Sequence, residues 1–482
     1  MAFNSSESET NMAGWEPIEG QIQLEHKQLL EEGIVPAAAE KAMQEAQRRL
    51  QAQASEEEIW APFGGLPVRP DYPFIEPSAL SAIQGLRNGK SRLLHAKLSD
   101  AELFDRMHGA WLGRCVGCAL GKPVEGFMGT HNEIPSWERQ KRYLVAISPE
   151  EWPLRDYIPS RSPAQEQTGQ TGCPASCREN IAFMESDDDI RYTVLGQRIL
   201  LEHGRDFRSA HVANTWLGSL PYTYVCTAET QAYRNMVIGC QKLRSVSDDN
   251  AAELDATLDW HWIVHHMNPY REWIGAQIRV DSYGYAAPGD PQLAAEFAWR
   301  DARISHVKNG IYGAMLCAAM IAAAFATSDP LAVVEAGLAE IPSTSRLYAE
   351  MHQVLAICAR HKNDYASFEA VIGEIHALLG HYHPVHTNNN AALCVAAVLL
   401  SGGDFHKGIA FAVMGGWDTD CNGATVGSIV GAMTGAARAP RHWTARLNDT
   451  LHSAIIDYHP IAISECARRS VTIARAVQHS AK

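Results

Sequence analysis

Two short acidic runs hold the residue types that do hydrolytic or metal chemistry. ESDDDIRYTVLG sets Ser186, Asp187, Asp188 and Asp189 in a row. GGWDTDCNGATVGS sets Asp418 and Asp420 one residue apart, behind Gly415 and Gly416. Both runs stand where a loop gives way to a helix. The helix dipole and free N–H groups favour acids at such a junction, so plain N-capping competes with a ligand role. In a turn or extended segment, residues i and i+2 face one way, which directs Asp418 and Asp420 together. If the two junctions meet in space, four or five carboxylates converge and repel each other without cations. Carboxylate and hydroxyl oxygens suit Mg²⁺ or Mn²⁺ rather than Zn²⁺. Two divalent ions would balance Asp187, Asp188, Asp418 and Asp420, which predicts a binuclear site.

The elements that position these acids are written in glycine. Gly109, Gly113, Gly117 and Gly121 fall four apart, and so do Gly423, Gly427, Gly431 and Gly435. Residues four apart share a helix face. Each interior glycine costs about 1 kcal/mol relative to alanine, so close backbone contact between helices should offset the cost. The pattern predicts two central, tightly packed helices. Elsewhere the apolar segments favour Ala, Leu, Met and Gly over Val, Ile and Thr, without strand-like spacing, which predicts an all-α fold. Gly310 to Ala326 reads as a buried helix, too short for a membrane span. Residues 1–97 read as a helical and irregular extension, with sparse apolar positions that predict weak packing or self-association. Residues 98–482 read as one continuous, mostly helical domain. Residues 128–180 are its loop-like exception.

The chain has 482 residues and a formal net charge of −14, with 46% hydrophobic and 20% charged residues. These proportions fit a soluble globular protein. An acidic surface repels phosphates, which argues against nucleic acid and anionic membranes as partners. The opening MAFNSSESETNMAGWEP lacks the basic and apolar regions of a signal peptide. Eleven scattered cysteines, an odd number, predict reduced thiols and a cytoplasmic location.

Four ordered motifs carry a resemblance: GAWLGRCVGCALGKPVEG, ESDDDIRYTVLG, SHVKNGIYGAMLCAAMIAAAF and GGWDTDCNGATVGSIVGAMTGA. Together they resemble the ADP-ribosylglycohydrolase family, relatives of the dinitrogenase-reductase-activating glycohydrolases, over roughly residues 104–437. The resemblance implies a compact all-α bundle with a binuclear Mg²⁺ or Mn²⁺ centre between helices. It also implies hydrolysis of a glycosidic bond from ADP-ribose to a protein or small group. The implied metal ligands are Ser186, Asp187, Asp188, Asp418 and Asp420. Asp187 or Asp188 is the implied base for water, and Glu125 matches a flap glutamate over the substrate site. Two positions depart from the family pattern: Cys421 stands where a hydroxyl ligand is usual, and Cys118 where Asp is usual. Such a protein would act on ADP-ribosylated proteins or small ADP-ribosides.

Residues 265–306 are dense in polar and aromatic groups. Asn268, Tyr270, Arg271, Asp281, Tyr283 and Tyr285 are candidates to line a nucleotide pocket, with rings stacking on adenine and Arg271 meeting phosphate. An ordered loop with internal contacts is the alternative. His306 resembles a family Ser-His segment and is a further substrate candidate. His381, His383 and His386 fit no strong zinc spacing. Cys115 and Cys118 spell C-x-x-C but lie in a glycine-ridged helix, where packing is the better reading. Cys173 and Cys177 are candidates for exposed thiols. Three other functions compete with the hydrolase. One is an ADP-ribose-like ligand-binding protein without turnover, and another is a nucleoside or other N-ribosyl hydrolase. The third is an isoprenoid-diphosphate synthase, whose Asp-Asp-x-x-Asp run is absent here.

Overall fold

The computed structural model describes residues 16–89, 93–94, 97–130 and 134–479. Over these residues the chain is all-α. Its one sheet pairs two antiparallel two-residue strands, Thr450–Leu451 and Ile461–Ala462. Among the described residues no helix is long and apolar enough to cross a membrane.

Two helices form a spine. The first ridge helix, Asp100–Gly121, starts at a capping box in which Ser99 and Glu102 each satisfy the other's backbone N–H. The second ridge helix, Thr419–Thr434, stops at Gly435, whose φ of +80° suits glycine. The two pack on each other, glycine to glycine, in opposite directions. A Cβ on Gly113 would lie 2.0 Å from the Gly427 carbonyl oxygen, and one on Gly117 only 1.9 Å from that of Gly423. Backbone therefore meets backbone, and dispersion plus Cα–H···O contacts offset the poor helix propensity. A methyl group inserted here would part the helices at about 1–3 kcal/mol or more. At one end of the spine, a Cβ on Gly121 would sit 2.3 Å from Asp420 N. There Thr419 Oγ1 donates to Gly121 O at 2.9 Å. The ridge thus fixes where the first helix ends relative to where the second begins.

The expected apolar helix spans Lys308–Ala324 and is buried along almost its whole length. Helix Asp188–His203 ends at Gly204, φ +61°. Within the loop-like stretch, helix Ser136–Val145 packs Tyr143 and Leu144 into the core.

The N-terminal region does not pack weakly. Its first helix, Ile18–Glu31, buries Gln21, Glu25 and Gln28 along with Ile18, Ile22 and Leu29. Arg271 Nη1 meets Glu25 at 2.6 Å, and its Nε meets Glu32 at 2.7 Å. Lys308 reaches the other Glu32 oxygen at 2.8 Å. Arg346 bridges Glu76, from the irregular arm, and Glu272, at 2.9 and 2.7 Å. The expectation failed because hydrophobic periodicity alone does not register a helix that docks through buried ion pairs.

Candidate metal centre

The spine delivers both acidic junctions to one place. Ahead of the second ridge helix, Gly416 and Trp417 adopt φ values of +75° and +55°. Ser136 Oγ accepts the Trp417 N–H at 2.9 Å, and a Cβ on Gly416 would lie 2.3 Å from that oxygen. Glycine is required there by both conformation and space. His376 stacks on Trp417 at 3.9 Å and donates from Nε2 to Gly415 O at 2.8 Å. The turn then releases Asp418, whose N–H donates to Asn390 Oδ1 at 3.2 Å. The same oxygen accepts from Asn422 Nδ2 at 2.8 Å.

The other junction caps helix Asp188–His203. Asp187 Oδ1 accepts the Asp189 N–H at 3.0 Å, so the N-cap reading holds locally. The second oxygen, Oδ2, faces Lys122 Nζ at 2.5 Å. Ligand atoms of Cys118, Asp187, Asp189 and Asp420 lie within 4.8 Å of one another, as do those of Asp418, Asp420 and Cys421. Two acidic runs far apart in sequence therefore converge. Asp187, Asp418 and Asp420 are buried, while Ser186, Asp188 and Glu125 are half-buried. Glu125 sits on the turn Lys122–Phe127 that leaves the first ridge helix.

The charges at this point are poorly matched. Burial and the Asp187 charge push Asp420 up to about 7. Burial and Asp187 likewise raise Asp188 to about 6. Burial and Asp420 hold Asp418 well above the carboxylate range. For Glu125 the charge of Asp420 leads, with burial second, and the rise is again large. Asp187 moves the other way: burial alone would raise it, but Lys122 beside it brings it below its usual value. Asp418 Oδ1 and Asp420 Oδ1 are buried without a hydrogen-bond partner. Buried carboxylate oxygens without partners fit a cation, and their chemistry fits a hard one. The thiols of Cys118 and Cys421 are poor ligands for such an ion.

Asp189, third in the first run, points to a different partner. Arg114 Nη2 lies 3.1 Å from Asp189 and its Nη1 2.9 Å from Asp281, all without solvent exposure. The sequence reading missed Arg114 and Lys122. An arginine inside a glycine-ridged apolar helix was the signal for the first. A single lysine after a helix gave none.

The residues expected to line a nucleotide pocket are largely interior. Asn268 donates to Val264 O and Ser305 O at 2.9 and 3.0 Å. Tyr285 bonds Ser428 Oγ at 2.6 Å and packs on Trp111. Arg271 is engaged by Glu25 and Glu32. His306 is buried beside Ser305 at 2.8 Å, and burial pushes its pKa well down, which keeps it neutral. Tyr270 is the one that shares an apolar cluster with Cys421, rimmed by Leu24 and Met128. The histidines of HYHPVH stack and cap. His383 lies on Trp273 at 4.0 Å, and His386 Nδ1 accepts the Asn388 N–H at 3.1 Å. All eleven cysteines are free, and Cys177, expected to be exposed, is buried.

A family model described as ADP-ribosylglycohydrolase matches residues 99–474. No curated protein matches the chain. A solved structure described as "ADP-ribosylglycohydrolase-related protein complex" is similar at 19% identity and a TM-score of 0.46, covering 78% of this chain and 99% of that one. The motifs, the all-α spine and the match over most of the sequence lead to one statement: this chain belongs to the ADP-ribosylglycohydrolase family.

Proposed function

We propose that this protein hydrolyses the glycosidic bond at C1 of a ribosyl group, within an ADP-ribosylated protein or a small ADP-riboside. The observation that supports this most is the meeting of Asp187 and Asp420, with orphaned oxygens on Asp418 and Asp420. Ser186, Asp187, Asp188, Asp418 and Asp420 are the residues that would hold Mg²⁺ or Mn²⁺. Such an ion, when bound, lowers the pKa of water and orients hydroxyl oxygens.

The protein's own groups divide the remaining work. Asp188, raised to about 6 and half-buried, is suited to accept a proton from the attacking water. Asp187 is held by Lys122 and by the helix cap, so it positions rather than exchanges protons. Glu125, half-buried on its turn, faces the charge of Asp420. Asn390 fixes Asp418 and Asn422 at once. Bond cleavage at the anomeric carbon passes through an oxocarbenium-like state, as glycoside hydrolysis does generally.

The test is release of free ADP-ribose from ADP-ribosylated proteins and small ADP-ribosides, with Mg²⁺ or Mn²⁺, by wild type and Asp418→Asn. Losing a ligand should cost more than the about 10–100-fold that an outer-shell partner costs. Full activity in Asp418→Asn sinks the reading. A second reading rests on Cys118 and Cys421, two thiols among the acids. In that case the protein binds an ADP-ribose-like ligand without turnover, and calorimetry detects ADP-ribose while product assays stay blank. A parallel nucleoside screen tests the other N-ribosyl hydrolase alternative.

A further inference from the structure

Lys122 is a cation set inside the acidic centre. Its Cα follows Gly121, which the ridge pins against Thr419 and Asp420. Its Nζ lies 2.5 Å from Asp187 Oδ2 and 3.5 Å from the Ser186 carbonyl oxygen, and the side chain is 7% exposed. An ammonium so enclosed cannot swing into water without breaking that pair.

We propose that Lys122 is a built-in cation that takes the place of one of two metal ions, so that this centre holds a single divalent ion on the Asp418–Asp420 side. The inference rests on the metal-dependent reading above.

Three observations carry it. First, Asp187 differs from Asp418 and Asp420 in what its oxygens meet. Asp418 Oδ1 and Asp420 Oδ1 have no partner, whereas Asp187 is satisfied at both oxygens by the Asp189 N–H and Lys122. Second, another cation faces the same run: Arg191 Nη1 lies 2.8 Å from Ser186 Oγ and attracts Asp187 and Asp188. Third, Cys118 Sγ, a thiol in place of a hard oxygen ligand, lies among the ligand atoms of Asp187, Asp189 and Asp420. An ammonium is a compact point charge with three donors, so it can hold a carboxylate as a small cation does. It cannot acidify water as a metal ion can, which makes Lys122 a positioning residue for Asp187.

The experiment is a Mn²⁺ titration of the full-length protein by calorimetry and electron paramagnetic resonance. Asp418→Asn defines which ion belongs to the centre. Wild type should bind one Mn²⁺ per chain that Asp418→Asn loses, with the spectrum of an isolated ion. Lys122→Met, which keeps the length and removes the charge, should gain a second Mn²⁺ and show an exchange-coupled pair. Two coupled ions in wild type overturn the inference and leave the metal-dependent reading standing. No Asp418-dependent ion in wild type overturns both. A Lys122→Met protein that still holds one ion overturns the role given to Lys122.

Discussion

Around Arg271 and Arg346, the glutamates Glu25, Glu32, Glu76 and Glu272 are buried against two guanidiniums and the Lys308 ammonium. Around Asp418, the acids outnumber the cations and two oxygens have no partner. Both regions bury several carboxylates, yet Glu272 and Asp420 move in opposite directions. Burial alone would raise Glu272, but Arg346 brings it down to about 2, while Asp420 is driven up to about 7. Acidic residues in a protein interior are thus not by themselves a sign of a ligand site. The sign is acid without matching base, held by backbone that cannot relax.

The largest effect expected is on the matched side. Arg346→Ala leaves Glu76 and Glu272 buried with no guanidinium, and should lose about 3–5 kcal/mol in urea unfolding. An unchanged midpoint would break the contrast, since the network would then not be what docks the arm. Next comes the unmatched side. Mn²⁺ at a hundredfold excess over its Kd should stabilise wild type by about 2.7 kcal/mol. Arg346→Ala should keep that increment and Asp418→Asn should lose it, as thermal melts with and without chelator would record. A smaller effect sharpens the point by its sign. In chelator at neutral pH, Asp418→Asn should gain stability, because it removes a carboxyl that stays protonated in the fold while the unfolded chain ionises. In the same conditions Glu272→Gln should lose stability.

The smallest effect concerns pH. Burial pushes Glu31 up from 4.5 to about 7. A raised carboxyl binds its proton more tightly in the folded state, so its contribution is present below about 4.5 and fades as pH rises through about 7. Glu31→Gln removes that slope. Between pH 5 and 8, the Tm of wild type should fall relative to the variant by about 1–2 °C. A parallel pair of curves would show that Glu31 is not desolvated by docking.

The spine was legible because its signal is local and repeated: eight glycines at fixed spacing point to close helix packing and to little else. The acidic junctions were legible because loop, acid and helix follow each other in the chain. Lys122 was not, because its meaning comes from Asp187, a residue distant in sequence, and a lone lysine ordinarily reads as solvated. Glu25 and Glu32 were hidden for the same reason, since glutamates on an Ala/Gln/Lys-rich helix look like a wet face. Tyr285 and Asn268 are the converse case. Aromatic and polar density suggested a pocket, but the structure spends these groups on Ser428 and on backbone carbonyls. Composition reports that polar groups need partners, and only the fold says whether a partner is protein or ligand.

The contact between Gly113 and Gly427 leaves no cushion of side chains between the two helices. Helices that meet through methyl groups can slide by exchanging rotamers, whereas these have nothing to exchange. Whatever admits a ligand to the acids must therefore come from the segments that hang off the spine, such as the Lys122–Phe127 turn, and not from the spine opening like a hinge.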